Sequence, residues 1–167
     1  MIRVAITGPE SCGKTTLADA LSVYFDAPLI SEYARTFLES SKGFYDQKDL
    51  DKIAQGHLEN MILSQNSINI IDTDFVVLQI WSQEKYGNVS EFISNQVNAN
   101  HFDLHILCAP DIPWEQDDLR ENPEDRELLF ERYKLALIQA KKKFIIVKGS
   151  HESRIEKSVS SIKTILN

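Results

Sequence analysis

Residues 8 to 16 read GPESCGKTT, directly behind the strand-like run IRVAIT at 2–7. The spacing Gly8-x-x-x-x-Gly13-Lys14-Thr15 is that of a phosphate-binding loop. Glycines let the backbone curl so that successive N–H groups point inward at anionic oxygens, and Ser11, Cys12 and Thr16 add their amides to that nest. Lys14 can reach the β- and γ-phosphates, and the Thr15 hydroxyl can ligate Mg²⁺. Behind the loop, Leu17, Ala20, Leu21, Tyr24 and Phe25 recur at helical spacing. The following helix then turns the positive end of its dipole towards the phosphates. Strand, loop and helix in this order predict a nucleotide site.

Length and composition limit what surrounds it. A chain of 167 residues, 43% hydrophobic and 26% charged, is expected to form one globular domain over 1–167. Its net charge of -7 argues against nonspecific nucleic-acid binding. The one basic run, Lys141 to Lys143, is expected at a helix end, where cations suit the dipole. Cys12 lies in the loop and Cys108 in an apolar run, so a disulfide is not expected and a reducing cytoplasm fits. No apolar stretch approaches the roughly 20 residues of a membrane span, and a first strand starting at residue 2 leaves no room for a signal peptide. His101 and His105, without cysteine partners, are poor metal ligands.

Apolar runs at 2–7, 27–31, 68–72, 103–109 and 143–149 alternate with amphipathic helical patterns such as Leu129, Tyr133, Ala136, Leu137, Ala140 and Ile155, Val159, Ile162, Leu166. That alternation predicts an α/β fold, a five-stranded parallel sheet with helices on both faces. Ligands of such sheets gather at the carboxyl ends of the strands. The second run delivers SEYAR, with Glu32 and Arg35, and the third delivers DTD, with Asp72 and Asp74. Asp72 is the expected partner of Thr15 at Mg²⁺, although Asp in this place also suits a helix N-cap. After the fourth run a polar, proline-punctuated stretch over about 112–127 reads as a lid carrying Arg120 and Arg126 towards a transferring phosphoryl group, with Arg132 on the next helix.

A GTPase switch would need Asp-x-x-Gly after the third strand and an Asn-Lys-x-Asp; neither occurs. A motor or AAA-type ATPase would need a larger core and a helical lid domain. A kinase fold of the P-loop type is the reading that uses all these features, with another small-metabolite kinase and a nucleotide-gated regulator as alternatives. The segments GPESCGKTTL, SEYART, DLDKIAQGHLE, IDTDFVV and FDLHILCAPDIPWEQDDLR, in this order, resemble the ribosylnicotinamide kinase domain of the bifunctional NAD-biosynthesis and repressor proteins. The resemblance implies ATP- and Mg²⁺-dependent phosphorylation of the ribose 5′-hydroxyl of nicotinamide riboside. Neither a helix-turn-helix module nor an adenylyltransferase domain of those proteins is expected within these 167 residues, so a free-standing kinase or kinase-like domain is the expectation.

A cationic pyridinium acceptor suits the acids and the aromatics Tyr33, Phe75, Trp81 and Trp114, with Trp114 the best stacking candidate. Glu32 and Asp74 are equal candidates for the base that accepts the hydroxyl proton. Cys12, near a helix N-terminus and Lys14, is expected to be a reactive thiol shielded by bound ATP. The stretch GSHESR at 149–154 is expected near the adenine, with Ser150, His151 and Arg154 as possible contacts. Expected partners are ATP and a small nucleoside-like substrate.

Overall fold

The computed structural model describes residues 1–64, 66–116 and 124–166. Among these, β1 (Ile2–Thr7), β2 (Leu29–Ile30), β3 (Ile68–Asp72), β4 (Leu104–Cys108) and β5 (Phe144–Val147) form one sheet in the order β2-β3-β1-β4-β5. Every pairing is parallel. The helices are α1 (Lys14–Phe25), α2 (Tyr33–Ser40), α3 (Gln47–Leu63), α4 (Phe75–Tyr86), α5 (Glu91–Asn98), α6 (Arg126–Gln139) and α7 (His151–Leu166). None of these helices is long and apolar enough to cross a membrane.

β3 and β4 are buried at every position, as strands covered on both faces must be. On one face Val4, Ile6, Ile70 and Ile106 meet Leu17 and Leu21 of α1 and Val159 and Ile162 of α7. On the other, Ile71 and Leu107 meet α2 to α6 through residues such as Leu50, Ile53, Phe75, Ile93 and Leu137. β2 is shorter than its apolar run. It lies at the sheet edge behind Pro28, which has no N–H to donate and contributes only its carbonyl, 3.1 Å from the Ile70 amide. Lys142 serves a different helix from the one it follows. Its ammonium donates to the Asn98 and Ala99 carbonyls at the end of α5 (3.1 and 2.6 Å), not to α6.

Two local features aim the carboxyl ends of the strands. α1 starts at Gly13, in the left-handed region at φ 80°, and no side chain caps it. Its first-turn amides are therefore left for an anion. α3 starts in a reciprocal capping box between Asp46 and Asp49, which fixes where this long helix begins. Along α3, Gly56 lets the Tyr33 ring of α2 lie against the helix surface: a methyl group at Gly56 would overlap that ring. Gly56→Ala must therefore push Tyr33 away from α3. We expect a loss of about 1–3 kcal/mol of stability, read as a fall of roughly 3–10 °C in the thermal midpoint followed by circular dichroism.

Candidate active site

A cavity of about 600 Å³ opens at the carboxyl ends of β1, β2 and β3. Its floor is the loop itself: Gly8, Ser11, Cys12, Gly13, Lys14, Thr15 and Thr16 all line it. The loop folds around the Lys14 ammonium, which donates to the Gly8 and Pro9 carbonyls at 3.0 and 2.7 Å. Burial opposes the charge on Lys14, but Cys12, Glu32 and Asp72 around it prevail and its pKa is raised. It stays a cation at any physiological pH.

The register of β1 on β3 sets Ile6 opposite Asp72, and α1 leaves the loop on the same side. Thr15 Oγ1 therefore donates to Asp72 Oδ2 at 2.7 Å. Asp72 is 3% exposed and its Oδ1 has no hydrogen-bond partner. Burial raises its pKa, against the Thr15 hydrogen bond and the Lys14 charge. An unpartnered buried carboxylate oxygen beside a threonine hydroxyl fits a hard cation that takes its remaining ligands from phosphate and water. No group of three or more metal-ligating side chains occurs among the described residues.

Next to Asp72 the backbone is strained. Thr73 has φ 79°, a left-handed conformation that a β-branched residue adopts at a cost of about 1–3 kcal/mol. Across the cavity floor stands Glu32, at the junction of β2 and α2. Burial raises its pKa; Lys14 and Arg35 oppose the rise and Asp72 adds to it. Thr73 Oγ1 has no partner of normal hydrogen-bond geometry, yet it lies near enough to Glu32 to favour its ionised form.

The walls come from residues the sequence did not single out, apart from Arg35 and Trp81. Trp81 donates from Nε1 to the Tyr45 hydroxyl at 2.9 Å, and the two rings meet edge to face with centroids 4.9 Å apart. The Lys85 ammonium lies 4.0 Å from the Tyr45 ring centroid. Leu38, Glu84 and Tyr133 complete the enclosure. Lys85 stands one helical turn after Trp81, so its place on the same wall could have been read from spacing. Tyr45 reaches the wall from the α2–α3 connection, for which no periodic signal exists.

A family profile described as "AAA domain" matches residues 3–154. The chain belongs to that AAA-domain family. Two curated relatives, the trifunctional NAD biosynthesis/regulator proteins NadR of Escherichia coli (strain K12) and of Salmonella typhimurium (strain LT2), are each 36% identical over 124 residues. The match covers 70% of this chain and 30% of each relative, so the chain spans under a third of their length. Among solved structures, NadR in complex with NR superposes with a TM-score of 0.73 at 19% identity, over 96% of this chain and 50% of that one. Deoxyadenosine kinase from M. mycoides with bound dATP does so with 0.68 at 18% identity, over 98% of this chain and all of that one. The fold is thus that of the P-loop kinases.

Several expected site residues of this AAA-domain chain take other places. Asp74 is fully buried and caps α4: it accepts from the Val77 amide at 3.1 Å and from Thr7 Oγ1 at 2.9 Å, and faces His105 Nε2 at 3.5 Å. It does not line the cavity, so Glu32 alone stands where both acids were expected. Tyr33 packs on Gly56 and is no part of the wall, and Phe75, 1% exposed, belongs to the core. Trp114 lies outside the cavity lining, with the Arg126 guanidinium 5.7 Å from its ring centroid. Arg126 donates to the Ser11 and Ile112 carbonyls at 3.1 and 3.0 Å, which fastens the stretch after β4 to the loop. Arg132 sits on α6 and pairs with Glu84 of α4. Arg120 lies outside the described residues, as do all of residues 117–123 of the expected lid.

Arg154, expected near the adenine, is 3% exposed and sits behind the loop. It donates to the Cys12, Ala109 and Gly149 carbonyls at 2.8, 3.0 and 3.0 Å and pairs with Asp111. It braces the loop from behind and does not line the cavity. Cys12 also departs from expectation. Burial would push its thiol up, but the Cys108 hydrogen bond and the Lys14 and Arg154 charges bring it down to about 7. Its side chain nonetheless has no exposed surface and packs in the core beneath the loop. Cys12 and Cys108, the two cysteines of the chain, should therefore resist Ellman's reagent in the native protein, with or without Mg-ATP. Both should react once the chain is unfolded in denaturant; rapid native labelling slowed by Mg-ATP would restore the original expectation.

Proposed function

We propose that the chain is an ATP-dependent kinase that phosphorylates the ribose 5′-hydroxyl of nicotinamide riboside, giving nicotinamide mononucleotide. The observation that carries the reading is the grouping on one cavity floor of Lys14, Thr15 and Glu32, with Asp72 hydrogen-bonded behind Thr15, beneath the Tyr45–Trp81 wall. Lys14, Thr15 and Asp72 suit a nucleoside triphosphate and its cation; Glu32 and the wall suit a hydroxyl-bearing acceptor with a flat ring. The curated relatives named for NAD biosynthesis and the solved NadR–NR complex support the choice of acceptor.

In this reading the loop amides and Lys14 bind the phosphates and neutralise charge as it builds up on the transferring group. Thr15 and Asp72 would hold Mg²⁺, which supplies further charge neutralisation when bound. Glu32 accepts the proton of the acceptor hydroxyl while its oxygen attacks the γ-phosphorus and ADP departs. The raised pKa of Glu32 suits this work, since a carboxylate closer to neutrality is a better proton acceptor. The Tyr45 and Trp81 rings offer π-surface to a pyridinium, and Glu32 offers negative charge, whereas Glu84 is paired with Arg132. Arg35 and Lys85 on the same lining oppose a cation, so ring charge is the property to test.

ADP release with Mg-ATP and a nucleoside panel tests the acceptor. We expect turnover with nicotinamide riboside, and at least tenfold less with its reduced, uncharged form and with uridine, cytidine or thymidine. Turnover on a pyrimidine nucleoside alone would make the chain a different nucleoside kinase. ATP binding with no release on any acceptor would make it a nucleotide-gated regulator. Lys14→Ala should abolish turnover with an unchanged circular dichroism spectrum.

A second comparison separates the two acids. Glu32→Gln should lower kcat by about 10²–10⁴-fold, the usual worth of a general base. Asp74→Asn keeps an acceptor for Val77 and Thr7 and should change stability while leaving kcat within a fewfold. The reverse pattern would return Asp74 to the site.

A further inference from the structure

The stretch Gln55-Gly56-His57 on α3 lies outside the cavity lining, yet both of its last two residues touch turns that carry the acids. Gly56 receives the ring of Tyr33, the residue next to Glu32. His57, 3% exposed, has Nε2 at 3.2 Å from the Thr73 carbonyl oxygen. A carbonyl can only accept, so the proton of the neutral ring sits on Nε2. The ring is held edge-on to Phe75, centroids 5.7 Å apart, which fixes its direction.

Thr73 is thereby gripped at both ends of its backbone. Its amide donates to the Ile6 carbonyl at 3.0 Å across the sheet, and its own carbonyl accepts from His57. Between these two bonds lies the left-handed turn at φ 79°. A β-branched residue left to itself would relax to negative φ, which would swing the Asp72 carboxylate and the Thr73 hydroxyl together. Without the His57 bond the Thr73 carbonyl would also be a buried acceptor with no donor.

We propose that His57 is a positioning residue for phosphoryl transfer: by donating to the Thr73 carbonyl it keeps the strained turn that presents Asp72 to the metal and sets the Thr73 hydroxyl against Glu32. The proposal rests on the kinase reading above for its effect on turnover, but its effect on the cation is independent of the acceptor. His57 touches no substrate and acts only through Thr73. Outer partners of this kind change metal affinity or activity by about 10–100-fold when removed.

The test compares three variants of the full chain. His57→Leu removes the donor, His57→Gln restores an N–H at similar reach, and Met61→Ala excavates the same buried helix one turn further on without approaching Thr73. Each is assayed for Mn²⁺ affinity in the presence of ADP, by electron paramagnetic resonance, and for kcat and KM with nicotinamide riboside and Mg-ATP well below its thermal midpoint. His57→Leu should weaken Mn²⁺ binding and lower kcat, each by at least tenfold, with KM for nicotinamide riboside within about threefold. His57→Gln should recover most of both losses, and Met61→Ala should lower the thermal midpoint without either loss.

A His57→Leu protein with wild-type Mn²⁺ affinity overturns the proposal. So does a loss that Met61→Ala reproduces or that His57→Gln fails to recover. If the wild-type protein releases no ADP with nicotinamide riboside, the acceptor reading fails, and the Mn²⁺ series still decides the role of His57.

Discussion

The site depends on one register: β1 and β3 run side by side, parallel, with Ile6 opposite Asp72. Because the loop leaves the end of β1 and the acid closes β3, this pairing alone brings Thr15 and Asp72 into hydrogen-bond contact. A shift by one residue would send Asp72 to the other face of the sheet, since side chains alternate along a strand. The shift would also turn the buried Asn69 away from the Asn66 carbonyl to which it donates at 3.1 Å and leave its amide unpaired in an apolar core. The same burial that stabilises the fold thus fixes the spacing of the chemical groups.

Buried polar groups around the loop serve as fasteners. Arg154, Asp74 and His105 are almost without exposed surface, and an ionised side chain in such a place is costly unless its bonds are met. Arg154 meets this with three backbone carbonyls and Asp111. Asp74 meets it only in part: Oδ1 accepts from an amide and a hydroxyl, Oδ2 faces His105 without a hydrogen bond, and burial raises its pKa. Removing one partner from either set leaves the rest buried without compensation. The loop is held from behind by groups with almost no exposed surface.

What could be read from the sequence follows from range. The loop, the five strands and Asp72 are encoded locally, by glycine spacing, apolar runs and a carboxylate ending a strand. Asp74 and Glu32 look alike as bases in a sequence; the Val77 amide makes Asp74 a helix cap, and the Thr7 hydroxyl, 67 residues away, holds it in the interior. Arg154 was placed at the right end of the right strand but on the wrong side of the loop, since the direction of a long side chain is set by its partners. Cys12 had the expected electrostatics and the opposite exposure, for a pKa and an accessibility have different causes. Tyr45 gave no local sign at all. It becomes a wall only when the connection between α2 and α3 folds back against Trp81.

The bond from Arg154 to the Cys12 carbonyl joins residues 142 positions apart. During synthesis the loop leaves the ribosome 142 residues ahead of the guanidinium that braces it. At about 5–20 residues per second, the two are separated by roughly 7–30 seconds of translation. A nascent chain therefore carries a glycine-rich segment whose backbone has no rear support until α7 docks. Nucleotide affinity on stalled ribosomes would accordingly rise late and abruptly, which makes it a reporter of when the last helix joins the sheet.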